Sequence, residues 1–111
     1  MAARKTISPR IKRHIDRYIE QVNDKMHVTV HTAILFGSWA TGRHTEDSDI
    51  DIGIVSEEFG ADPVTETQQL LKLTRFVDAR IEPLAISRSD FENDATPLVC
   101  EMKKNGLIVA S

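Results

Sequence analysis

The sequence predicts an α+β domain, a small mixed β-sheet covered by helices in an α/β two-layer arrangement. Three observations predict it: apolar residues recur at helical spacing early in the chain, short β-branched runs end in turn residues, and further helical stretches separate those runs. The 111 residues, 41% hydrophobic, suffice for one core, so a single domain over 1–111 is expected. The chain has no internal repeat, low-complexity segment or linker.

Ser8-Pro9 combines a capping hydroxyl with a proline at the first helical position. Ile11, Ile15, Tyr18, Ile19, Val22 and Met26 then recur every three to four residues, predicting an amphipathic helix over 9–25. HVTVHTAILFGS changes character and predicts a strand over 29–36, ended by Gly-Ser. Ser48 to Val55 predicts a second strand, reached through a polar connection with a short helix starting near Ser38. Asp62-Pro63 starts a helix running to Phe76, ARIEPLAI predicts a third strand over 79–86, and its Pro83 predicts an edge or a strand end. A last helix over 95–105 closes at Asn105-Gly106, with LIVA as a final strand. Cys100, beside Leu98 and Val99, is expected in the core.

Composition excludes several function classes. A net charge of −3 argues against a strongly basic nucleic-acid footprint, although Arg4, Lys5, Arg10, Lys12, Arg13 and Arg17 gather near the N-terminus. No stretch approaches the roughly 20 apolar residues of a membrane span. The single cysteine cannot form an intramolecular disulfide and no apolar segment follows MAARKTISPR, so a reducing, cytoplasmic location is expected.

The chemistry concentrates in FGSWATGRHTEDSDIDIGIV, residues 36–55. Side chains at i and i+2 of a strand share a face, so Asp49 and Asp51 point one way while Ile50 and Ile52 point the other. An acidic solvent face is the plain reading of that alternation. Two like charges about 7 Å apart repel, however, and a third carboxylate would repel more, so the arrangement calls for a cation. Carboxylate oxygens suit Mg²⁺ or Mn²⁺, and paired metals about 3.5–4 Å apart clamp the attacking and leaving oxygens of phosphoryl transfer. Gly37 allows a backbone approach too close for a Cβ, and Ser38, starting a helix, offers a hydroxyl and N–H groups to a phosphate.

GSWATGRHTEDSDIDI resembles the signature of the polymerase β-like nucleotidyltransferases: Gly-Ser, a spacer, Gly, a spacer, then Ser-Asp-x-Asp and an apolar residue. It is most similar to the single-domain minimal nucleotidyltransferases. The signature covers about a fifth of the chain, and the order of helices and strands extends the likeness over most of the rest. The resemblance implies that Asp49 and Asp51 bind metal, that Gly37 and Ser38 hold the triphosphate of an NTP such as ATP with Gly42 and Ser48 in the same motif, and that a neighbouring strand supplies a third carboxylate. Glu82, inside the apolar run of the third strand, is favoured for that role over Asp78. The two remain alternatives, because Asp78, Arg80 and Glu82 share a face if the strand starts early.

Thr41 stands where an arginine often precedes the glycine, so Arg43 is a candidate phosphate contact. Trp39 is expected to pack against the sheet, and His44 has no evident partner. The implied reaction moves a nucleoside monophosphate, AMP first among candidates, from an NTP to a hydroxyl. A chain this short leaves the acceptor surface to a homodimer or a partner chain, as in toxin–antitoxin pairs where such a protein accompanies a helical HEPN toxin and, in some pairs, adenylylates its tyrosine. The rivals are a non-catalytic partner-binding module on the same fold and a small-molecule enzyme of aminoglycoside-modifying type.

Overall fold

The structure, a computed structural model, describes residues 7–111. Arg4 and Lys5 of the basic cluster lie outside the described residues. Helix α1 spans Pro9–Met26 and buries Ile11, Ile15, Tyr18 and Val22, a stripe that repeats every three to four residues. Strand β1 (Thr32–Phe36) leads through the one-turn helix α2 (Ser38–Thr41) and an exposed loop into β2 (Ile50–Ser56). Helix α3 (Pro63–Leu73), capped by the Asp62 side chain on the Thr65 N–H, continues as a 3₁₀ turn over Thr74–Phe76. Strand β3 (Ile81–Ser87), helices α4 (Arg88–Glu92) and α5 (Pro97–Asn105), and β4 (Leu107–Ala110) complete the chain.

The sheet order is β3-β2-β1-β4, with β2 parallel to β3 and the other pairs antiparallel. This is the mixed sheet the sequence predicts, with β3 on an edge as Pro83 requires. Pro83 shares parity with Ala85, whose N–H turns away from β2 to the Thr67 hydroxyl of α3 at 3.1 Å, so the proline removes no ladder bond.

Several boundaries differ from expectation, each for a local reason. β1 begins at Thr32 and not at 29, because the Val30 N–H goes to the Asn23 side chain of α1. β3 begins at Ile81 because Asp78 accepts the Arg80 N–H and closes a turn. α5 starts at Pro97 under the Thr96 cap. Helix α4, which the sequence reading lacks, is nucleated by the Ser87 hydroxyl accepting the Asp90 N–H. Cys100 is exposed, against expectation: α5 turns Val99 and Met102 inward and carries Cys100 on its outer side.

The strands divide the core in two. Ile50, Ile52 and Ile54 of β2, with Ala33, Leu35 and Ile81, pack under α1 and α3 in the larger cluster. The opposite face holds Ile34, Val55 and Ile86 under α4 and α5, a smaller cluster sealed by Phe91, Val99 and Met102. Among the described residues no helix is long and apolar enough to cross a membrane.

Candidate active site

The end of β1 and the starts of β2 and β3 meet at one end of the sheet. Register places Phe36 opposite Asp51, and Asp51 opposite Glu82, so the three form a row across β1, β2 and β3. Alternation assigns Asp51 the same face as Gly53 and Val55, and Glu82 the same face as Leu84 and Ile86. That is the thinly covered face, and the carboxylates lie outside the apolar cluster that Phe91, Val99 and Met102 seal. Asp49 lies one residue before β2, exposed, and its charge is felt by both other acids.

Partial burial, then the charge of Asp49, raises the Asp51 carboxyl above the usual carboxylate range. For Glu82 the charge of Asp49 is the largest cause, followed by desolvation and the charge of Asp51, and its carboxyl is raised too. Asp78 is elsewhere. It sits in the turn before β3, bound by the Arg80 guanidinium at 2.7 Å and by His14 Nδ1 at 2.9 Å, and the hydrogen bonds from Arg80 hold it well below the usual range. The structure therefore brings Asp49, Asp51 and Glu82 together and leaves Asp78 in a different network. Among the described residues no three His, Cys, Asp or Glu side chains converge as they stand on one metal position. Asp49, in a loop, is the member whose place is not fixed by a strand.

Gly37 joins helix α2 to this row. Its φ of 71° and ψ of −151° favour glycine, and a Cβ there would collide with the Asp51 carboxylate. Ser38 then opens α2, which closes at Gly42 in the left-handed conformation with its N–H on the Ser38 carbonyl. Arg43 stands exposed in the loop, where its side chain makes no ion pair among the described residues. The Ser48 hydroxyl is engaged inside the loop, accepting the Thr45 N–H at 2.8 Å.

Two features escape the sequence reading. His44 does have a partner: its ring stacks on Trp39 with centroids 3.9 Å apart, while the indole N–H donates to the Ser48 carbonyl. Arg80 reaches across the sheet end to the Glu46 carbonyl. The Arg80 contact spans 34 positions and the His14–Asp78 contact 64, so no local pattern signals either.

The chain matches the nucleotidyltransferase domain family over residues 15–105. It belongs to that family. The nucleotidyltransferase domain, that of a transferase enzyme, thus includes every strand but β4 and all of the carboxylate row. In fold it is similar to the crystal structure of a protein from Sulfolobus solfataricus named as a candidate nucleotidyltransferase, with a TM-score of 0.63 and 19% identity over 89% of this chain and 78% of that one. It is similar, too, to a toxin–antitoxin structure with AMP-PNP, with a TM-score of 0.61 and 20% identity over 90% of this chain and 73% of that one. The fold is that of the polymerase β-like nucleotidyltransferases. No curated protein matches the chain.

Proposed function

We propose that this domain moves a nucleoside monophosphate, AMP first among candidates, from an NTP to a hydroxyl acceptor in a reaction that depends on Mg²⁺ or Mn²⁺. One observation carries the reading: Asp51 and Glu82 face each other in register on parallel strands, with Asp49 close enough to perturb both. The donor chemistry fits a hard divalent cation, since all three ligands are carboxylates and like charges gathered at one sheet end are relieved by opposite charge. Asp49, Asp51 and Glu82 would hold the metal, which supplies positive charge to the triphosphate and acidifies the acceptor hydroxyl.

The chain's own residues do the rest. Gly37 makes room for the Asp51 carboxylate against the loop backbone, and the Ser38 hydroxyl and the Arg43 guanidinium bind the phosphate oxygens. Glu82, on the edge strand and exposed, takes the proton of the acceptor hydroxyl. Most of the rate arises from positioning and charge stabilisation, as in other phosphoryl transfers.

The acceptor docks on another chain. The helices of this domain are committed to covering its sheet, and what they leave is one open sheet end. Either a second copy or a partner supplies the remaining surface. The structural likeness to a toxin–antitoxin assembly with AMP-PNP, an ATP analogue, supports a partner chain and ATP as donor, and a tyrosine of a HEPN-type toxin is the acceptor the family resemblance suggests.

Incubation with labelled ATP, Mn²⁺ and the co-purifying partner tests this. Label should transfer to the partner, and Asp49→Asn/Asp51→Asn should abolish it. Tight partner binding without transfer in the wild type would leave a binding module instead. Rapid labelling of a free small molecule by the isolated monomer would indicate an enzyme of the antibiotic-modifying kind.

A further inference from the structure

Of the three carboxylates in the proposed site, Asp51 and Glu82 are fixed by strands, and Asp49 is not. Residues 41–47 before it are all exposed, so burial does not fix the loop. Its position depends on a few hydrogen bonds. From one side the Trp39 indole donates to the Ser48 carbonyl at 3.1 Å. From the other, Arg80 acts twice: its carbonyl accepts the Ile50 N–H at 2.8 Å, and its guanidinium Nη1 donates to the Glu46 carbonyl at 2.5 Å. Asp49 is thus bracketed by residues that Arg80 holds on both sides.

The arginine is itself immobilised. Its Nε and Nη2 donate to Asp78 at 3.1 and 2.7 Å, and the remaining arm reaches Glu46. Asp78, whose side chain is only 10% exposed, also contacts His14 of α1 at 2.9 Å. The chain of contacts runs from the long helix through His14, Asp78 and Arg80 to the loop carbonyl. Only a planar fork of donors can satisfy a carboxylate with one edge and a carbonyl with another; a lysine ammonium has neither the reach nor the geometry for both.

We propose that Arg80 is the positioning residue of the transfer site, holding the Glu46 carbonyl so that Asp49 stands beside Asp51 and Glu82. This rests on the assignment of Asp49 to that site. Arg80 touches no substrate in this role; it acts through Asp49.

The test uses Arg80→Lys, which keeps the cation beside Asp78, and Arg80→Gln as a second variant should the lysine protein fail to fold. Amide hydrogen exchange in metal-free protein is read first. Exchange at 45–49 should accelerate about tenfold in either variant while the β1–β4 amides stay within twofold of wild type. Mn²⁺ affinity is read second and should fall by about 10- to 100-fold, the usual cost of losing a group that orients a ligand. Third, Arg80→Lys added to Asp49→Asn should cause no further loss of Mn²⁺ affinity, because both changes remove the same ligand. Unchanged loop exchange overturns the proposal. So do additive Mn²⁺ losses, which would mean that Arg80 merely supports the fold. A wild-type protein that binds no Mn²⁺, while the Arg80 variants exchange the loop as described, refutes the transfer site itself and leaves Arg80 a loop clamp without catalytic purpose.

Discussion

On the face of the sheet beneath α1 and α3, β2 presents Ile50, Ile52 and Ile54, each 0% exposed. On the other face the same strand presents Asp51, half-buried, then Gly53 and Val55 under α5. One face is closed along its whole length, and the second is closed at one end only. The difference lies less in the strand than in its cover: an 18-residue helix and an 11-residue helix on one side, helices of five and nine residues on the other. A strand of period two can therefore serve stability with one set of residues and chemistry with the alternate set, provided its helices are distributed unequally. Neighbouring substitutions should separate cleanly into the two roles.

The largest effects test that separation directly. Asp51→Asn should lower nucleotidyl transfer by at least about 10³-fold, roughly 4 kcal/mol, while leaving the melting temperature at or above wild type. Ile52→Ala, the adjacent residue on the closed face, should cost about 2–5 kcal/mol of stability by chemical denaturation. Its specific activity, measured where the protein is still folded, should remain within a few-fold. An Ile52→Ala protein that is stable but inactive would break the division of labour between the faces.

Gly37→Ala probes the point where loop and open face touch. The substitution combines a left-handed φ with a collision against Asp51, and together these should cost about 2 kcal/mol and most of the transfer activity. In an Asp51→Ala background the collision disappears and only the backbone strain, about 1 kcal/mol, should remain. Equal losses in both backgrounds would show that Asp51 does not press on the loop.

How far each face was legible follows from the range of its interactions. The closed face is written locally: the α1 stripe and the isoleucine alternation of β2 announce helix and strand without knowledge of their partners. Asp49, Asp51 and Gly37 are legible for the same reason, since they fall within one continuous motif. Glu82 was distinguished from Asp78 only by depth in an apolar run, because the register that faces it to Asp51 is decided by β2–β3 pairing across the α3 crossover. The contacts of Asp78 were not legible, because an acid beside an arginine in sequence does not reveal that His14 completes the set from another helix. The presence of α4 was hidden by a short, polar stretch in which one cap decides the outcome, and the exposure of Cys100 by its apolar neighbours Leu98 and Val99, where one helical phase decides which side chain turns inward.

Tyr18→Phe tests the closed face by a smaller amount. The phenol is fully buried and donates to the Leu70 carbonyl at 2.7 Å, joining α1 to α3, and burial raises its pKa. Loss of the donor leaves a buried carbonyl unpaired and should cost about 1 kcal/mol, read from denaturation midpoints, with transfer activity unchanged. A loss of activity larger than the loss of stability would mean that the closed face does communicate with the open one.

The smallest expected effect is electrostatic, and pH exposes it. Asp51 is raised by burial and then by Asp49, and Glu82 chiefly by Asp49. A carboxylate whose pKa is raised in the folded state binds its proton more tightly there than in the unfolded chain, so it subtracts from stability above its folded pKa and subtracts nothing below its unfolded one. Removing the Asp49 charge relieves both acids. In metal-free buffer at pH 7–8, Asp49→Asn should therefore melt about 2 °C above wild type, and the gap should close as pH falls below the unfolded carboxylate range of about 4. Asp78 runs the other way: held low by Arg80, it stabilises above the unfolded carboxylate range and loses that contribution only as pH falls through its depressed value. Both proteins share it, so it cancels from the difference. Mn²⁺ at 100 times its Kd should then invert the order, adding about 2.7 kcal/mol to the wild type and little to Asp49→Asn. An Asp49→Asn protein that melts at or below wild type across pH 5–8 without metal would show that the three acids do not share a field.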